Sequence, residues 1–264
     1  MFLFEILRYN FFNMEFQLDS LNLVHLVVVL LAVVIAYTIK GLSGFGAGLI
    51  AIPILSTVIP LTVVVPAVSL LSYSANLIQS FKLRQDTSWR DICPLIPFCL
   101  LGVFLAVWIL INVNSKWLAM MMGLFVISYG LYSLLPVKKF TASRIWAIPF
   151  GGIGGFIGAL FGSSGFIYVT YLKLRSLNKN QFRASVAMAL TLDGTFRISG
   201  YIGSGLLTSN VLILVCLLFP ILLLSIWVGN CLHLSISADR FNQIVSTLLI
   251  VSGLILVLKS INTS

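Results

Sequence analysis

The sequence predicts an all-α polytopic membrane bundle made of two inverted repeats, each a broken, re-entrant helix hairpin plus three spans. Three observations carry that expectation: an extreme apolar composition, apolar runs of spanning length in a recurring rhythm, and glycine-rich interruptions at corresponding places in the two halves. Of the 264 residues 59% are hydrophobic and only 9% charged, and the mean hydropathy is +1.09, far from the range of soluble domains. A β-barrel would need short segments of alternating polarity, and continuous runs such as "VLILVCLLFPILLLSIWVGNCL" do not alternate. Helices are therefore the spanning elements, because only they satisfy every backbone group within one lipid-exposed segment.

Apolar segments fall at 21–39, 47–59, 61–81, 92–113 and 117–135, and a second series follows at 145–160, 165–174, 182–201, 211–236 and 241–258. Displacing the first series by 117 residues pairs Gly41 with Gly158, Gly48 with Gly165 and Asn76 with Asp193; displacing its later part by 123 pairs Pro97 with Pro220 and Gly130 with Gly253. Leucine matches are cheap in such a chain, but glycine, proline and Asn/Asp matches are not. The organisation expected is an interfacial segment at 1–20, a first repeat at 21–137 and a second at 138–264. The leading segment, "MFLFEILRYNFFNMEFQLDS", has neither a basic start nor a small-residue cleavage site, so it reads as an interfacial lead-in rather than a signal peptide.

Basic residues concentrate at 82–90, 138–144 and 173–183, which the positive-inside rule places in the cytoplasm. With 138–144 and 173–183 on one side, the chain between them must enter the membrane and return, bending at "FGSSG" (161–165). The rival topology, each hairpin arm a full span, asks the short segment 47–59 to cross alone, and at about 20 Å as a helix it falls short of a bilayer core. Three spans follow each hairpin, so the two halves run in opposite directions.

The first interruption reads "KGLSGFGAGLIAIP" (40–53). A glycine-rich break at membrane depth must be buried in protein or line a wet cavity, and the helix that restarts after it offers free N–H groups and a positive dipole end, which suit an anion. Ser43, Gly44 and Gly46 in the first break and Ser163 and Ser164 in the second are candidate anion-binding residues, with Lys40 attracting anions or snorkelling to the interface. The competing explanation for the glycines is close helix approach: Gly151/Gly155 and Gly154/Gly158 have GxxxG spacing. In "TLDGTFR", Asp193 and Arg197 stand at i, i+4 inside the membrane. Arg197 is a candidate anion ligand and Asp193 a candidate to orient it or to carry a proton; a mutual ion pair serving stability is the alternative. Asn76, with Gln79 and Ser80 nearby, would line the neutral half of the same cavity.

Other chemistries lack residues. The four cysteines have no CxxC spacing, His25 and His233 are isolated, and there is no dinucleotide, Walker, HExxH or GxSxG motif. No catalytic residue, metal site or cofactor is expected, and a membrane-embedded enzyme, an accessory subunit and an anion channel rank below a transporter. Arg183, Lys173, Arg175 and Lys179 read as topology determinants. The partners expected are a small anion, the lipid bilayer and protons as coupling ion, with no nucleic acid; a homo-oligomer stays open.

Together "GLSGFGAGLIAIP", its echo "GALFGSSGFIYVTYL" and "RASVAMALTLDGTFRISGYIGSGLL" resemble the sulfite exporter TauE/SafE family of membrane permeases, over residues 21–259. The resemblance implies secondary transport of small sulfur-containing anions, sulfite or sulfonates, across the bacterial inner membrane, with proton coupling as an option. Where family members carry a fuller glycine cluster and a proline in the second half, this chain has "GSSG" and Thr170.

Overall fold

The computed structural model describes residues 23–133, 143–232 and 238–262, and side chains within these apart from a few near the segment ends and Ser43. The interfacial segment expected at 1–20, His233, and the cluster residues Lys138 and Lys139 lie outside them. The described residues form helices α1 (Leu23–Ser43), α2 (Ala47–Leu55), α3 (Leu61–Leu83), α4 (Trp89–Ile92), α5 (Ile96–Asn112) and α6 (Ser115–Ser133). They continue as α7 (Ala147–Phe161), α8 (Gly165–Lys173), α9 (Lys179–Gly203), α10 (Ser209–Leu232) and α11 (Ala238–Asn262), with no strand among them.

Five helical stretches are long and apolar enough to cross a membrane: His25–Leu42, Leu61–Asp86, Trp89–Asn112, Arg144–Phe161 and Ser209–Gly229. Polarity runs inside out compared with a soluble protein. Leu101, Phe104 and Trp108 of α5 and Leu224 and Trp227 of α10 face outward, while Lys40, Asn76, Asp193 and Arg197 are buried, as expected when the solvent is hydrocarbon. Helix α9 begins with a capping box, Asn178 Oδ1 accepting from the Gln181 N–H at 2.8 Å, and carries Asp193 and Arg197 into the centre of the bundle.

Both glycine-rich interruptions are breaks between helices. Residues 44–46 separate α1 from α2, and residues 162–164 separate α7 from α8. Gly46 (φ 89°) and Gly162 (φ 67°) hold left-handed backbone, which any residue with a Cβ enters at a cost. The second arms, α2 and α8, have 9 residues each, or about 13 Å, less than half a bilayer core. At the base of the α7–α8 hairpin, the Asp91 carboxylate accepts from Arg144 Nε (3.3 Å) just before α7 and from Arg175 Nε (2.9 Å) just after α8. The start of α7 and the end of α8 therefore lie side by side at one carboxylate. Ser88 N–H donates to Ser185 Oγ at 2.9 Å beside this cluster, so residues around all three basic stretches gather at one end of the molecule. At another location Lys259 donates to the Thr57 carbonyl and Ser260 Oγ to the Lys116 carbonyl.

The most extensive helix pairings are α5 with α7, α10 with α1, α6 with α11 and α3 with α9. Exchanging the two series, α1 for α7, α2 for α8, α3 for α9, α5 for α10 and α6 for α11, returns the same four pairings. Individual contacts behave likewise. A methyl added at Gly48 would run into the Gly162 carbonyl, and one at Gly165 into Phe45; a methyl at Gly123 would approach the Gly253 carbonyl, and one at Gly130 the Ser246 carbonyl. Each contact maps onto its partner under the displacement read from the sequence.

Glycines outside the breaks show the close helix approach considered above. Gly102, Gly151 and Gly155 let α5 and α7 touch backbone to backbone, Gly155 lying against the Cys99 carbonyl, which is close helix approach of the small-residue kind. The glycines of the breaks terminate and restart helices, and Gly48 also lies against the Gly162 carbonyl.

Candidate functional site

The two breaks meet. Gly48, in the first turn of α2, lies against Gly162 and Ser163, and Gly165, which opens α8, lies against Phe45. Between them is a small polar cavity of about 20 Å³, lined by Lys40, Phe45 to Gly48, Ser72, Asn76, Gly162 to Gly165, Leu190 and Arg197. A void of that size has room for about one water molecule. Neither α2 nor α8 has a side-chain hydrogen bond capping its first turn, and the first N–H groups of a helix have no partner within it. Two helix N-termini with their positive dipole ends therefore border one cavity.

Each preceding helix ends beside a cation. Lys40 is in the last turn of α1, 6% exposed, with Nζ donating to the Ser72 carbonyl at 3.0 Å and lying 5.9 Å from the Tyr37 ring centroid. Tyr37 in turn shares a hydrogen bond with Ser72 Oγ at 3.1 Å. Among the described residues no carboxylate lies within ion-pair distance of Lys40. At the end of α7, Arg197 Nη1 donates to the Gly158 carbonyl at 2.8 Å and Tyr201 Oη to the Ala159 carbonyl at 2.6 Å, satisfying acceptors that the helix leaves open.

Arg197 also pairs with Asp193, Nη2 to Oδ2 at 2.8 Å. The Asp193 carboxylate receives further donors: Ser164 Oγ at 2.5 Å, Tyr168 Oη at 3.3 Å and the Cys99 thiol at 3.4 Å. This aspartate stands behind the polar cavity, joined to it through Ser164 and Arg197, and borders a smaller apolar void of about 10 Å³ walled by Ile92, Leu95, Cys99, Tyr168 and Phe196. Two polar atoms remain unmatched on cavity residues: Arg197 Nε and Asn76 Oδ1 are buried without a hydrogen-bond partner. Such atoms are uncommon in folded proteins and each costs about 1–3 kcal/mol.

Of the residues expected from sequence, Lys40, Gly46, Asn76, Ser163, Ser164 and Arg197 line this cavity together, and Lys40 is buried there instead of snorkelling at an interface. Gly44 caps the end of α1, its N–H donating to the Lys40 carbonyl at 2.7 Å. Ser43 is the last residue of α1. Gln79 is half-buried and not part of the cavity wall. Arg175, read as a topology determinant, is also an ion-pair partner of Asp91. Sequence reasoning missed Ser72, Tyr37, Tyr168 and Cys99. For Ser72 a signal existed: Ser69, Ser72, Asn76 and Ser80 form a buried polar stripe along α3 at helical spacing.

Comparison with known proteins bears on the same residues. A relative annotated by name as probable inner membrane transporter protein TsaS, from Comamonas testosteroni, is 23% identical over 192 residues, covering 71% of this chain and 80% of the relative. No solved structure matches significantly. The family model described as sulfite exporter TauE/SafE matches residues 29–256, a span that includes both breaks and every charged residue of the site, so the chain belongs to the TauE/SafE family and is a multi-pass membrane transporter, not an enzyme.

Proposed function

We propose that this protein is a secondary transporter of small sulfur-containing anions of the sulfite or sulfonate type, located in the inner membrane, with its binding site in the cavity between the two helix breaks. One observation carries the reading: a buried lysine with no carboxylate beside it among the described residues shares a polar cavity with two helix N-termini and an arginine. A cation at membrane depth is costly unless paired or hydrated, and an anion in the cavity would supply the missing partner. The substrate class comes from the family.

The pairing of helices that survives exchange of the two series supports a duplicated, inverted architecture with repeats at 21–137 and 138–264. In such a fold the site lies at the repeat interface. The void between the breaks has room for about one water molecule, and in this reading the two tips separate when substrate enters. Rocking of one hairpin and its partner helices against the rest provides the two-sided access.

Within this reading Arg197 and Lys40 bind the anion, the N–H groups after Gly46 and Ser164 add neutral donors, and Asp193 orients Arg197. The four donors around the Asp193 carboxylate favour this positioning role; proton coupling, where present, would use the same carboxylate. Labelled sulfite, sulfonates and carboxylates in proteoliposomes, with and without a pH gradient, test the proposal. Sulfite-type anions are expected to move, and Arg197→Ala to reduce flux at least tenfold, the loss of one charge-assisted hydrogen bond. If no small anion moves, the transport reading fails; if flux ignores the pH gradient, the proton-coupled form of it fails.

A further inference from the structure

The walls of the cavity specify more than a negative ligand. Among the ionised side chains Arg197 is neutralised by Asp193 at 2.8 Å, which leaves Lys40, and the two helix N-termini add partial positive charge. Their hydrogen-bonding capacity is mixed. Arg197 Nε is a donor without an acceptor, whereas Asn76 Oδ1 is an acceptor without a donor, and both residues are 3% exposed and line the cavity. An oxyanion made only of acceptor oxygens satisfies the arginine, the lysine and the helix N-termini but leaves Asn76 as it was. A dianion brings one more negative charge than the ionised side chains of the walls compensate, in a setting where charge mismatch is poorly screened.

Resting on the proposed anion site, we infer that the cavity selects a singly charged oxyanion that also carries a hydrogen-bond donor, such as the O–H of a monoprotonated sulfur oxyanion, over dianions and over donor-free monoanions. Asn76 Oδ1 accepts from that donor while the ionised oxygens face Lys40 and Arg197. The two halves of the site then divide the work, the first-repeat amide reading the proton and the cations reading the charge. This arrangement also explains why the position corresponding to Asp193 in the first half is an amide: a carboxylate at residue 76 would cancel the charge of Lys40.

The test uses ligands of fixed charge, so that no titration of the protein enters. Purified wild-type transporter in proteoliposomes is challenged with 2-hydroxyethanesulfonate, ethanesulfonate and sulfate as competitors of labelled sulfite flux. The hydroxylated monoanion should inhibit about tenfold more strongly than ethanesulfonate, the ordinary value of one added hydrogen bond, and sulfate should be the weakest of the three. In Asn76→Leu the preference for the hydroxyl should collapse toward unity while sulfate remains weakest, a ratio that a purely structural role of Asn76 would not change. Equal inhibition by the two sulfonates in the wild type overturns the donor-reading role, and inhibition by sulfate as strong as by either sulfonate overturns the charge selection; both outcomes leave the anion site standing. If none of the three inhibits and none raises the melting temperature of the detergent-solubilised protein, the anion site itself is wrong.

Discussion

Two buried aspartates in this protein pair with arginine, Asp91 with two and Asp193 with one, and the pairings do different things. Asp91, at the base of the α7–α8 hairpin, accepts from Ser88 Oγ (2.8 Å), Arg144 and Arg175, and its arginines are 48% and 18% exposed. Asp193 sits in the centre of the bundle, its arginine only 4% exposed. The first cluster ties three chain segments together at a wet edge of the molecule. The second fixes one guanidinium while leaving its Nε open beside a cavity. Identical chemistry therefore acts as a clasp between chain segments at Asp91 and, in the proposed reading, as a prepared binding element at Asp193.

The comparison is broken most strongly at Asp193. Replacement by Ala leaves a buried, uncompensated guanidinium, which costs about 3–5 kcal/mol, so Asp193→Ala should yield little folded protein by fluorescence-detected gel filtration. The double variant Asp193→Leu/Arg197→Met removes both charges and should recover most of the stability without recovering anion flux. Should the single variant prove as stable as wild type, the pair is not the buried element described here.

At the exposed cluster the effect should be smaller. Asp91→Asn weakens two partly exposed ion pairs, worth about 1 kcal/mol together, and keeps the hydrogen bond from Ser88 within reach. The protein should fold, and cysteines placed at the base of the hairpin should become more reactive toward membrane-impermeant thiol reagents. Loss of folded protein comparable to Asp193→Ala would erase the distinction between the two sites.

The same contrast explains what could be read from sequence. Both breaks and the Asp193/Arg197 pair were legible because glycines, serines and charges are expensive at membrane depth and stand out against leucine, and the displacement of 117 residues aligned one break with the other. The basic stretches placed 138–144 and 173–183 on one side, and Arg144 and Arg175 do meet at one carboxylate. Asp91 was hidden among those basic residues beside Asp86, where an acid looks like ordinary loop composition. Cys99 and Tyr168 reach Asp193 from positions 94 and 25 residues away, a juxtaposition made by the packing of α5 and α8 that no local spacing encodes. Gln79 shows the converse: standing three residues from Asn76 did not bring it to the cavity wall.

Lys40 offers the most direct test of the central claim, since a structural lysine and a substrate-binding lysine respond to removal in opposite ways. In Lys40→Met the apolar stem is kept and a buried charge with no carboxylate partner among the described residues is deleted, so the melting temperature should hold or rise while labelled sulfite flux in proteoliposomes falls at least tenfold. Unchanged flux, or flux and melting temperature falling together, would contradict an anion site between the two breaks.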